Sequence, residues 1–129
     1  MKSIFAICVI ALSVLGCNDN ATQSSSNNST REVYGVLIKK VTIVDNEITL
    51  SVECIVPDPG YGYSHSDSYF AGKKINLTVY TMPTNPNGAV QVLSSFKEDI
   101  KIKVPSAGEY TIHYRYSYDE MRDTVLTVK

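Results

Sequence analysis

Between residues 47 and 56 apolar and polar side chains alternate: Ile48, Leu50, Val52, Cys54 and Val56 fall in one row, Glu47, Thr49, Ser51 and Glu53 in the other. Ile55 is the one apolar residue that breaks the outward row. Successive side chains of a strand point to opposite faces, so this pattern predicts a strand buried on one side. It places Cys54 in the core, since a reactive thiol needs an exposed, electropositive setting. The preceding segment, 33–44, reads as a strand joined to it by a tight Asp45-Asn46 turn. There Tyr34, Val36 and Ile38 share one face while Val41 and Ile43 fall on the other. A bulge near Lys39-Lys40, or a strand that passes from one sheet to another, accounts for that change of phase.

Further strands are expected at 73–81 (Ile75, Leu77 and Val79 inward), 89–94, 99–104 (Ile100, Ile102 and Val104 inward), 110–118 and 123–129. The last two meet at a turn around Asp119-Glu120. No segment sustains a helical period. About seven short antiparallel strands separated by turn signals predict an all-β sandwich over 33–129.

Ser106-Ala107-Gly108-Glu109-Tyr110-Thr111-Ile112 resembles the tyrosine corner of immunoglobulin-like domains, with Gly108 two residues before the tyrosine and Ile112 two after. The resemblance implies that the Tyr110 hydroxyl bonds back to upstream backbone. Ile112 stands where antibody domains carry a disulfide cysteine, so the likeness is to disulfide-free members such as fibronectin type III. More widely, a Pro-containing loop, the run Val90 to Phe96, a Lys/Ile strand and Pro105 to Tyr110 resemble the small β-sandwich domains of many uncharacterised bacterial lipoproteins. That group implies a fold and an address but no activity.

The first sixteen residues stand apart. Lys2 supplies a positive start and Ile4 to Leu15 is almost wholly apolar, too short for a permanent span but suited to a signal peptide. The stretch ends in Val14-Leu15-Gly16-Cys17, which resembles the lipobox of bacterial lipoproteins, although Leu15 departs from the usual Ala, Ser or Thr. The resemblance implies cleavage before Cys17 and lipidation of that cysteine, which attaches the chain to a membrane without spanning it. Asn18 follows in place of the Asp of enteric inner-membrane lipoproteins, so the expected location is the cell envelope, with the outer membrane favoured and Asp19 leaving the inner one open, since other bacterial groups read other positions. The stretch 18–31, NDNATQSSSNNSTR, has Ala21 as its only apolar residue and reads as a tether. Its ends would average roughly 20 Å apart as a random coil. Cys8 leaves with the leader and Cys17 takes lipid, so Cys54 has no disulfide partner and the core alone must hold the fold.

A formal charge of −1 with both signs interspersed gives no field to gather nucleic acid. Tyrosine is the compositional exception, 9 copies against 3 phenylalanines, and it concentrates in two places. One is the connection 57–72, PDPGYGYSHSDSYFAG, read as a long loop. Tyr61, Tyr63, His65, Asp67, Tyr69 and Phe70 make it a candidate binding loop with the chemistry of an antibody paratope, for a protein or glycan ligand. The plainer account has Tyr69 and Phe70 folding inward to cap the sandwich. The other is the row Tyr110, Ile112, Tyr114, Tyr116 and Tyr118, read as cross-strand packing in preference to an exposed stripe.

His65 and Asp67, even with His113, fall short of a zinc or copper set, and no metal or cofactor is expected. Ser64-His65-Ser66-Asp67 has the residue types of a catalytic triad, but neighbours on one segment cannot converge as a triad must, so no enzyme is expected. The resulting expectation is a membrane-anchored binding or structural module. The alternative is a peptidase inhibitor that presents the 57–72 loop to an active-site cleft.

Overall fold

A computed structural model describes residues 30–85 and 90–129, and every regular element among them is a strand. The order is β1 (Arg31–Glu32), β2 (Gly35–Val44), β3 (Glu47–Val56), β4 (Tyr61–Ala71), β5 (Lys74–Pro83), β6 (Ser94–Lys103), β7 (Gly108–Ser117) and β8 (Glu120–Val128). They form two sheets packed as a sandwich. One is β2-β3-β6. In the other, β4 takes one edge of β5, while β7 and the short β1 share its opposite edge and β8 lies outside β7. The leader, Cys17 and most of the tether stretch lie outside the described residues.

The expected inward rows are the core. Ile48, Leu50, Val52, Cys54 and Val56 of β3 meet Ile75, Leu77 and Val79 of β5, Ile100 and Ile102 of β6, and Tyr110, Ile112 and Tyr114 of β7, all buried. Cys54 is a free thiol, and desolvation, followed by the nearby Glu98 and Glu53, pushes its pKa to about 12. The chain crosses from one sheet to the other between β1 and β2, ahead of the phase change, and there Val33 rather than Tyr34 is buried. The bulge is what accounts for the change: the β2–β3 register slips between Ile38 and Lys40. That slip returns Val41 and Ile43 to the inner face, where they pack against the core. The Asp45-Asn46 turn is present, with Asp45 in the left-handed region at φ 51°.

Four expectations need correction. The 57–72 segment is mostly strand: β4 pairs with β5 along its length and turns back through Gly72 and Lys73. Its period is hidden because Ser64 bulges out between Tyr63 and His65, and because serines, not aliphatics, share the face of Val79 and Leu77. The strand expected at 89–94 does not form over 90–93, where Val90, Val92 and Leu93 stay exposed, since β3 ends opposite Ser94. The strand instead begins at Ser94 and continues through the polar 95–99, which pair with β3. The strands number eight rather than seven, and one pair, β5 with β7, is parallel. A parallel pair needs a crossover connection, and β6, in the opposite sheet, provides it. Finally, the β7–β8 turn is Tyr118-Asp119, one residue earlier than expected.

The back-bond expected of Tyr110 forms. The Tyr110 hydroxyl donates to the Ser106 carbonyl at 2.7 Å. Lys73 closes the arrangement from the β4–β5 turn: its amine donates to Ser106 Oγ (2.9 Å), the Ala107 carbonyl (3.1 Å) and Tyr110 Oη (3.2 Å), and lies 4.4 Å from the Tyr110 ring centroid. These bonds, that of Ser106 foremost, hold the phenol below its ordinary pKa. Beyond Tyr114 the tyrosine row breaks at a third bulge, between Arg115 and Ser117. Tyr116 packs under the Arg122 guanidinium, and Tyr118 emerges into solvent edge-on to Tyr34, with ring centroids 5.9 Å apart.

Candidate binding face of the five-stranded sheet

The Ser64 bulge divides the six candidate residues into two sets. Tyr61, Tyr63 and Phe70 pair with Pro83, Thr81 and Ile75, and all three pack against the core. Tyr63 also meets Phe96 of the other sheet edge-on at 6.4 Å. They are structural. His65, Asp67 and Tyr69 pair with Tyr80, Thr78 and Asn76 and are exposed, Tyr69 by 71%. Tyr69 therefore does not cap the sandwich, whereas Phe70 does turn inward.

The register extends this outward set across the whole sheet. Tyr69, Asn76, His113 and Asp123 are successive cross-strand partners on β4, β5, β7 and β8. A second row runs His65, Tyr80 and Glu32 on β4, β5 and β1. Neighbouring strands lie about 4.8 Å apart, so these side chains form one continuous polar and aromatic face. It is locally fixed. The His65 ring stacks on Tyr80 with centroids 4.5 Å apart and planes 13° from parallel, and Ser64 Oγ lies 3.0 Å from its Nδ1. His113 Nδ1 lies 2.5 Å from Asp123 Oδ1. Arg115 donates to both Glu32 carboxylate oxygens (2.7 and 3.4 Å) and to the Tyr118 carbonyl (2.7 Å), and the Glu32 bond raises the guanidinium pKa further.

Arg115 with Glu32 and His113 with Asp123 are paired on this face, while the exposed Asp67 and Lys74 stand among the rings and hydrogen-bonding groups. Among the described residues no three His, Cys, Asp or Glu side chains gather as a metal set. Asp67 Oδ2 approaches His65 Nε2 only to 4.0 Å, on the side of the ring away from the Ser64 hydroxyl. Asn76, Thr78 and Tyr80 were legible as the outward row of β5. Their neighbours on β7 and β8 were not, because residues 76 and 113 meet only through the parallel pairing. No protein-family model matches the chain, and neither a curated protein nor a solved structure matches it.

Proposed function

We propose that this chain is a lipid-anchored envelope protein whose sandwich binds an extended glycan on the outer face of the five-stranded sheet. The observation that carries the binding reading is the row of exposed or stacked rings, Tyr69 and His65 on Tyr80, interleaved with Asn76, Thr78 and Asp67. Rings supply apolar area at small entropic cost, and amides and hydroxyls between them satisfy a hydroxyl-rich partner. A flat face suits an extended polymer better than a small molecule, which needs a cleft. The anchor reading rests on the Val14-Leu15-Gly16-Cys17 sequence. The module is read as binding, not catalysing.

We also infer that the sandwich is of the immunoglobulin-like kind, close to fibronectin type III. The Tyr110–Ser106 bond, with Gly108 and Ile112 about it, supports this, and the parallel β5–β7 pair is a departure from it. The inhibitor alternative depended on a free loop at 57–72 and is not carried further, since β4 occupies that segment.

The test is co-sedimentation of the protein with insoluble peptidoglycan sacculi. Tyr69→Ala or His65→Ala should each remove about 1 kcal/mol of ring contact, roughly fivefold in affinity. Lys97→Ala, on the opposite sheet, should change nothing. Equal binding by all four proteins would sink the assignment of this face. Radiolabelled palmitate incorporation, lost in Cys17→Ser, tests the anchor.

A further inference from the structure

We propose that the end of the sandwich at which the tether enters seats in the headgroup region of the bilayer, so that the domain stands on the membrane rather than floating above it. The inference rests on the reading of Cys17 as the lipid anchor.

The register places β1, the starts of β2, β4, β6 and β8, and the finishes of β3, β5 and β7 at one end. Residues 1–29 lead into that same end at Arg31. Here Tyr34, Met82, Tyr118, Met121 and the aliphatic stretch 90–93 are exposed, Tyr118 by 75% and Leu93 by 66%. Among the described residues, the other exposed large apolar side chains are only Val44, Tyr69 and Val125. Tyrosine is suited to a membrane surface, since its ring is apolar and its tip wet.

Charge separates lipid burial from electrostatic attraction. At the tether end Arg115 pairs with Glu32 and Arg122 with Glu120, and Arg31 is the exposed cation beside them. Four lysines, Lys73, Lys74, Lys103 and Lys129, sit at the opposite end. An anionic surface would therefore not favour the tether end, so the contact expected there is apolar. Proximity does the rest. Arg31 is fourteen residues beyond Cys17 in the sequence, so the end of the sandwich that holds Arg31 is the one nearer the anchor along the chain. Covalent attachment raises the effective concentration of the domain at the surface, so a weak intrinsic affinity for lipid is enough.

The chain contains no tryptophan, which allows clean reporters in the full lipidated protein. Tyr118→Trp and Tyr69→Trp variants, both at exposed positions, are reconstituted into phosphatidylcholine vesicles with brominated acyl chains, and unchanged melting confirms the fold. The expected result is a blue shift and loss of emission for Tyr118→Trp, insensitive to salt and to added phosphatidylglycerol, with Tyr69→Trp unquenched. Equal quenching at both positions, or none at Tyr118→Trp, overturns the proposal. So does a blue shift without bromine quenching accompanied by cross-linking between copies, which would make this end a self-association surface. Acylation is read separately by vesicle flotation: flotation without quenching overturns the seating and leaves the anchor standing, whereas an unacylated mature chain overturns both.

Discussion

Gly35 stands where the first strand leaves one sheet for the other, and its lack of a side chain lets β2 touch β7. A Cβ at this position would lie 2.4 Å from the Tyr116 carbonyl oxygen, 3.1 Å from its carbon and 3.2 Å from Ser117 Cα. All three are backbone atoms, so no rotamer change relieves the contact. Ordinary non-bonded separation is about 3.5 Å, so Gly35→Ala forces the two strands apart by about 1 Å. Overpacking of that kind costs about 1–3 kcal/mol, and in a domain of about 100 residues each of those lowers Tm by about 4–8 °C. Thermal melting should therefore show a loss of roughly 4–24 °C. Hydrogen exchange locates the damage. The amides of Val33 and Tyr34 donate to Val79 and Ile55 across the crossing (3.0 and 2.9 Å) and should lose protection first. Gly72→Ala is the control: with φ +62° and nothing within 4 Å it is strained by its backbone alone, and should lower Tm while sparing those two amides. A Gly35→Ala protein melting within about 2 °C of wild type would falsify the crossing geometry.

Other consequences are open to direct measurement. Burial holds the Cys54 thiol up to about 12 against an ordinary 9.0. Between those values the unfolded chain releases a proton that the folded chain keeps, so stability falls as pH rises, by about 1.4 kcal/mol per unit. The stability advantage of wild type over Cys54→Ala in urea should shrink between about pH 9 and 12; a constant gap would contradict the burial. The same thiol should be silent to a disulfide reagent in the native protein and count as one in denaturant, more than one if Cys17 carries no lipid. At the corner, Ser106→Ala and Lys73→Met should each raise the Tyr110 phenol pKa, since the Ser106 hydroxyl, 3.5 Å from Tyr110 Oη, and the Lys73 amine both lower it. Site-resolved NMR titration would read both, and an unmoved Tyr110 in Ser106→Ala would remove that hydroxyl from the account.

The core was legible because β3, β5 and β7 each bury one face and leave the other wet, so a two-residue period survives in the sequence. Cys54, Ile75 and Ile112 could be placed from it. β4 was not legible for the same physical reason in reverse. It is an edge strand, its core-facing row holds Ser66 and Ser68, and one bulged residue shifts the period partway along. β6 hid its first half because Phe96 is the only apolar residue from Ser94 to Asp99, and its pairing is dictated by β3 rather than by local pattern. The candidate site suffered both problems. Three of its six residues proved to belong to the core side, and the rows that begin at Tyr69 and His65 continue onto β7, β8 and β1, strands more than thirty residues away, which no local period reports.

The two proposals constrain each other through the geometry of the strands. A domain seated by its tether end holds its strands away from the bilayer, so the face bearing His65, Tyr69, Asn76 and His113 stands upright and open to the side. The rows Tyr69-Asn76-His113-Asp123 and His65-Tyr80-Glu32 then run across the strands, parallel to the membrane plane. An extended polymer lying along them would run alongside the bilayer, as an envelope glycan does. The edges matter as well, since anchoring concentrates copies and invites strand pairing between them. β6 carries Lys97, Lys101 and Lys103, and β2 carries Lys40 and its bulge at Lys39, so those edges are guarded by charge and irregularity. β8 has Glu120, Arg122 and Asp123. β4 has only His65, Asp67 and the Ser64 kink over eleven residues, which makes it the least protected edge of the sandwich. Because β4 also supplies the exposed ring of the binding face, a ligand resting on Tyr69 would shield that edge, coupling occupancy of the face to the separation of neighbouring copies.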